Sequence, residues 1–189
     1  VTPKIKAALL LQGYESGEYR FVRRYVPTDC DVIELGGSLG VISCTIRRRI
    51  DPARRQFIVE ADPRLAKALR RNLAINHCDA NVEVIEAAIS YDPGDTVSFA
   101  LGESSVSGRV AADAGSLPTI EVPACTLSQL IARHNLTDFA LVSDIEGVEW
   151  RILKNDLEAL ASARMIVMET HDSPGNGSYE DLIAALQAT

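Results

Sequence analysis

The sequence predicts an α/β fold, a three-layer sandwich with a mainly parallel central sheet. Three observations carry that reading. Short apolar runs recur along the chain as DVIEL, QFIVE, NVEVIEAAI, FALVSD and ARMIVMETH, each of strand length. Between most of them lie segments whose apolar residues return every three or four positions, as one face of a helix requires. A chain of 189 residues, 47% of them hydrophobic, is long enough for one domain with a substantial core. Strands alternating with helices imply a sheet covered on both faces.

In order, PKIKAALLLQGYESGEYRFVRRYV has helical spacing and mixed charge, so residues 1–28 form an N-terminal helical segment of two short helices. Residues 29–189 form the core of the same single domain. DVIEL (31–35) is the first strand, GGSLG a turn, and SLGVISCTIRRRI a helix with Ile42, Ile46 and Ile50 on its buried face. Arg47, Arg48 and Arg49 fall in its last turn, where cations suit the helix dipole. QFIVE (56–60) is the second strand. Asp62 and Pro63 then supply an N-cap and a first-turn proline. Leu65, Leu69 and Leu73 give that helix its core stripe, and Asn76–His77 its stop.

NVEVIEAAI (81–89) reads as one third strand. Residues 92–123 then break the rhythm with TVSFAL and PTIEVPA, separated by GESSVSGRVAADAGS. This is an inserted β segment with a loop, either a place for substrate contacts or an ordinary solvated connection. The helix TLSQLIARHN, the strand FALVSD (139–144), a helix through VEWRILKNDL, the strand ARMIVMETH (163–171) and the helix SYEDLIAALQA complete the chain.

Composition excludes several functions. A net charge of −7 and an isoelectric point near 5.0 disfavour a grip on nucleic-acid phosphate. Cys30, Cys44, Cys78 and Cys125 form no CxxC pair and do not cluster with histidine, so no zinc site is expected and reduced thiols in a cytoplasmic protein are. No apolar run approaches the roughly 18 residues of a membrane span, and no secretory leader is visible.

Open α/β sheets bind ligands beyond the carboxyl ends of their strands, which selects ELGGSLG, VEADP, SDIEGVE and METH. Gly36, Gly37 and Gly40 permit a tight turn and close backbone approach. Their spacing is not the nicotinamide fingerprint, which would need glycine at Ser38 and Val41, and no Tyr-x-x-x-Lys pair is present. Glu60, twenty positions past Gly40, can accept from both hydroxyls of a ribose, or can be a solvated strand end. Asp62 reads as the helix cap. Small residues at Glu86-Ala87-Ala88 let an adenine lie flat against the backbone, or simply pack.

SDIEGVE holds Asp144, Glu146 and Glu149 within six positions. Ser143-x-x-Glu146 has capping-box spacing, which accounts for Glu146 as a cap. That spacing does not account for Glu149, which is left as a structural acid suited to a salt bridge that holds the loop.

With these stretches together, the chain resembles the FkbM family of S-adenosylmethionine (SAM)-dependent methyltransferases, of the Rossmann-like class. Asp144-Ile145-Glu146-Gly147-Val148-Glu149 matches its D-[VI]-E-G-x-E, the most specific part. ELGGSLG matches D-x-G-x-x-x-G, with Glu34 in place of the usual Asp. VEADPRLAKALRRN, EAAIS and IVMETH resemble its E-P-x-P, A-[LI]-S and apolar-E-x-H stretches, in order from about Tyr14 to His171.

The resemblance implies methyl transfer from SAM to a hydroxyl oxygen of a small-molecule, carbohydrate or polyketide-type substrate. Cofactor contacts fall on Glu34, Gly36, Gly37, Ser38, Gly40, Glu60, Ala61, Ala87, Ala88 and Asp144. An alcohol nucleophile needs a base, and Asp144 and His171 are the candidates; an imidazole pKa of about 6.5 suits the second. Glu146, Glu149 and Glu169 are assigned substrate or structural roles. A metal held by Asp144, Glu169 and His171 ranks below a metal-free site. Tyr14, Glu15 and Tyr19 either close over the cofactor or pack a helix junction. The sequence ends at SYEDLIAALQAT, where this class continues into two strands, so either the chain is cut short there or the C-terminal strand hairpin is absent. A homo-oligomer is compatible with the reading, and nucleic-acid and membrane partners are not expected. The alternative function is a SAM-binding subunit without activity.

Overall fold

The computed structural model describes residues 16–101, 108–110, 118–145, 147–170 and 179–187. The first expected N-terminal helix, Tyr14, Glu15, Glu146, His171 and most of the Gly/Ser/Ala-rich loop lie outside them.

Strand β1 (Asp31–Leu35) is the middle of a five-stranded sheet. On one side it pairs with β2 (Gln56–Val59), which pairs with β3 (Val82–Ile85). On its other side lie β8 (Phe139–Ser143) and then β9 (Met165–Met168). Every pairing is parallel, giving the order β3-β2-β1-β8-β9.

Both faces are apolar because successive side chains of a strand point to opposite sides and both sides are covered. On one face Val32, Ala140 and Val142 pack against Ile42, Ile46 and Ile50, from α2 (Val41–Arg49) and its cap. Val22 and Val26 join them, from α1 (Ser16–Tyr25) and the residue after it. On the same face Ile58 meets Leu69 and Leu73 of α3 (Pro63–Ile75). On the opposite face Ile33, Leu35, Phe57, Val59, Phe139 and Leu141 share a core with α4 (Leu127–His134), α5 (Glu149–Asn155) and α6 (Leu157–Ala161). Helix α7 (Tyr179–Gln187) follows β9 in the chain.

The expected caps of α3 form. Asp62 accepts from the Arg64 amide, Pro63 opens the helix, Asn76 closes it, and His77 leaves with φ 54°. The arginine triplet occupies the last turn of α2 as expected. Helix α4 has a full capping box, with Thr126 Oγ1 accepting from the Gln129 amide and Gln129 Oε1 accepting from the Thr126 amide. Thr126→Ala should therefore lower the unfolding free energy by about 1 kcal/mol; a urea melt measures it.

Two sequence expectations need correction. The run 81–89 is two strands in two sheets. After β3 the Ala87 amide turns back to the Ile85 carbonyl (3.1 Å), and β4 (Ala88–Ile89) pairs instead with β7 (Thr119–Cys125). Alternation alone says which face a residue takes, not which neighbour its backbone finds. The Gly/Ser/Ala-rich connection likewise contains β6 (Gly108–Val110), antiparallel to β5 (Thr96–Leu101). The inserted segment is thus a second sheet of order β4-β7-β5-β6.

Candidate functional site

The strand order creates the site. From β1 the chain passes to β2 and β3 on one side, whereas β8 and β9 fill the other, so connections diverge above the carboxyl ends of β1 and β8. Backbone bonds carry the sheet one residue past the strands. The Gly36 amide donates to Val59 O (2.9 Å), the Asp144 amide to Leu35 O (2.9 Å), and the Glu169 amide to Ser143 O (2.9 Å). Gly36, Asp144 and Glu169 therefore stand on adjacent strand tips.

The glycines answer to the protein's own packing. Gly36 has φ 91°, and a Cβ there would lie 2.1 Å from the Asp144 carbonyl oxygen. Its missing side chain lets β1 and β8 close together. A Cβ on Gly37 would lie 2.5 Å from Ile58 Cγ2 and 2.7 Å from Leu69 Cδ2, so the turn is pressed onto β2 and α3. The turn closes through the Gly40 amide to Gly37 O (2.8 Å), and Ser38 takes φ 45° within it. Helix α2 starts after Gly40 without a side-chain cap.

Glu60 is buried just past β2, with 6% of its surface exposed. Its Oε2 accepts from the Ser38 amide (2.7 Å) and its Oε1 from the Asp62 amide (2.8 Å). One carboxylate thus ties the glycine turn to the start of α3. An ionised carboxylate has about four acceptor positions, and the Ser38, Asp62 and Ala61 amides together fill most of them. Burial pushes its pKa above the ordinary 4.5, against the downward pull of the backbone amides. Ala61 beside it packs against the second sheet, in a cluster with Ala88, Val97, Phe99 and Val122. Ala87 and Ala88 are themselves buried, Ala87 in the main core and Ala88 in this cluster. The second sheet therefore flanks the Glu60 side of the crevice.

Glu34 sits one residue before the end of β1 and points to the α2 face. Ser43 Oγ donates to its Oε1 (2.8 Å) and Gln56 Nε2 to its Oε2 (2.8 Å), while Gln56 Nε2 also reaches Ser43 O (3.2 Å). All three residues are buried. This network beneath the glycine turn is not visible in the periodicity; its only signal is an acid and a glutamine in otherwise apolar strands.

Asp144 is half-buried and Glu169 exposed. Of the expected Ser143–Glu146 capping box only Ser143 is described, and it caps no helix. Ser143 is the last residue of β8, held in the sheet between Leu35 and Met168, and its buried Oγ has no hydrogen-bond partner. Helix α5 begins only at Glu149, with Val148 at the cap position and Gly147 turning the chain at φ 76°. Glu149 is 1% exposed in the first helical turn, where the dipole favours an acid. Among the described residues no group of three His, Cys, Asp or Glu side chains is placed to hold a metal, and no helix is long and apolar enough to cross a membrane. All four cysteines are free thiols.

Residues 34–188 match the methyltransferase FkbM domain family. The chain belongs to this family. The match starts at Glu34, in the strand that feeds the glycine turn, and spans every strand of both sheets from there on. One solved structure shares the FkbM domain's fold, and two others are similar at lower scores. A putative rRNA-methylase from Clostridium thermocellum is 7% identical with a TM-score of 0.53, covering 92% of this chain and 81% of its own. The O-methyltransferase TomG from Streptomyces achromogenes, in complex with SAM, is 12% identical with a TM-score of 0.49 over 91% of this chain. The 23S rRNA methyltransferase ErmE is 22% identical with a TM-score of 0.46 over 81% of this chain. The FkbM chain spans 65% of TomG's length and 44% of ErmE's. No curated protein matches it.

Proposed function

We propose that this FkbM domain transfers a methyl group from S-adenosylmethionine to a hydroxyl oxygen of a small-molecule, carbohydrate or polyketide-type acceptor. The observation that carries the reading is the crevice itself, with Glu60 on one side of the glycine turn and Asp144 on the other.

The residues fit the cofactor. A buried carboxylate with acceptor capacity left suits a ribose hydroxyl, and among the described residues no Lys or Arg side chain pairs with Glu60 to compete for it. Gly36, Gly37, Ser38 and Gly40 would follow the cofactor's backbone-facing edge, and Ala61, Ala87 and Ala88 would border the adenine. Glu34 acts one layer lower, through Ser43 and Gln56. When bound, the cofactor supplies a methyl group on a sulfonium, so positioning does most of the work.

The chain's remaining task is the proton. Asp144, at the tip of β8, would accept it from the acceptor hydroxyl as the new bond forms; His171 is the second candidate base. Asp144→Asn should lower turnover by about a hundredfold or more, while affinity for S-adenosylhomocysteine stays within about threefold (under 0.7 kcal/mol). Transfer of a labelled methyl group to a panel of hydroxylated acceptors measures the first, and titration calorimetry the second. Unaltered turnover removes Asp144 as the base. Tight binding with no transfer to any acceptor favours the inactive-subunit reading.

A further inference from the structure

A second polar cluster lies outside the crevice, where the root of the second sheet meets α5. Asp156, 7% exposed at the end of α5, accepts from Tyr91 Oη (2.6 Å), from the Ser128 amide (3.0 Å) and from Ser128 Oγ. One turn earlier, Arg151 grips Asp92 with both terminal nitrogens, at 3.0 and 2.8 Å. Its guanidinium also lies over the Tyr91 ring, 5.9 Å from the centroid. Asp92 is further held by its own amide bond to Ser90 Oγ (3.2 Å).

The partners of this cluster come from three places. Tyr91 and Asp92 follow β4 directly, within four residues of Ala88. Ser128 is in the first turn of α4. Arg151 and Asp156 belong to α5 and its cap, the helix that begins five residues after Asp144. A bidentate, planar ion pair fixes orientation as well as distance. Burial and the Asp156 bond hold the Tyr91 phenol well above its ordinary pKa, so it stays a donor. The Arg151 bonds hold the Asp92 carboxyl below the usual range, so the pair persists into mild acid.

We propose that Arg151 and Asp92 are positioning residues for the cofactor, fixing the Ala87–Ala88 wall relative to the helix that follows Asp144. The proposal rests on the function proposed above. It gives the adenine end and the methyl end of the site a shared mechanical reference, α5, instead of two independently placed loops.

The test uses the whole protein and two probes, S-adenosylhomocysteine and 5′-methylthioadenosine, which lacks the amino-acid end. Arg151→Gln and Asp92→Asn should each weaken both probes by about tenfold, and the double variant should lose no more than either single, as coupled residues do. An exposed ion pair contributes little to stability, so the melting temperature should move by no more than about 4 °C. A purely structural pair would leave affinity unchanged in protein that remains folded. Unchanged affinity in both single variants, a loss confined to S-adenosylhomocysteine, or additive losses in the double would each overturn the proposal. If the unaltered protein binds neither probe, the cofactor reading itself fails, a distinguishable result.

Discussion

Gly36→Ala is expected to be the most damaging single methyl group that can be added to the site. The new Cβ would sit 2.1 Å from the Asp144 carbonyl oxygen and 3.3 Å from Ile145 Cγ2, at a residue whose φ is 91°. The first contact is with backbone, and no side-chain rotation relieves it. Either β1 and β8 separate at their tips, or the turn changes its dihedrals and lets go of Val59 O. Clash and positive φ together should cost on the order of 3 kcal/mol or more, a fall in melting temperature of roughly 6–12 °C for a domain of this size. Cofactor binding should disappear with it, because the same movement disturbs the glycine turn that Glu60 holds through the Ser38 amide. Gly17→Ala is the control. Its Cβ meets nothing within 4 Å, and it lies in α1, so a gain of about 0.5–1 kcal/mol is expected. Thermal melts of the two variants side by side make the comparison.

Glu60→Ala should abolish cofactor affinity. Two hydrogen bonds to a charged acceptor are worth about 1.5–3 kcal/mol each, so affinity for S-adenosylhomocysteine should fall at least about a hundredfold. The same carboxylate predicts opposite pH trends for binding and stability. Burial raises its folded-state pKa above 4.5, so the folded protein holds this proton more tightly than the unfolded chain. Its contribution to stability is then full below the unfolded value and is lost as pH rises through the folded one. Affinity runs the other way, because a protonated Glu60 gives up acceptor capacity. Binding should weaken as pH falls through the raised pKa, and Glu60→Gln should flatten that limb of the profile. Calorimetric titrations across mildly acidic pH, paired with melts, read both trends.

Much of this was legible in the residues. Glu60 and the glycine turn are local signals: a glycine cluster can only mean a special backbone, and an acid ending an apolar strand must either meet solvent or bind something. The α3 caps were equally local, since Asp62–Pro63 satisfies an N-terminus within its own few residues. What escaped depends on partners remote in sequence. Nothing within 81–89 says that Val82 pairs with Gln56 while Ala88 pairs with Ala124. Ser143-x-x-Glu146 has the spacing of a cap, but Ser143 is claimed by β1 and β9 on its two sides, and the helix opens only at Glu149. Glu34 sits beside the glycine turn in sequence, yet strand alternation sends it to Ser43 and Gln56. Asp156 gathers bonds from residues 28 and 65 positions away, which no local pattern announces.

A crystal structure with S-adenosylhomocysteine bound tests the central claim most directly. The account predicts ribose hydroxyls within hydrogen-bond distance of both Glu60 oxygens, the adenine towards Ala61, Ala87 and Ala88, and the sulfur over the Gly36–Asp144 junction. A ligand bound away from the tips of β1, β2 and β8, or with its ribose out of reach of Glu60, would contradict it.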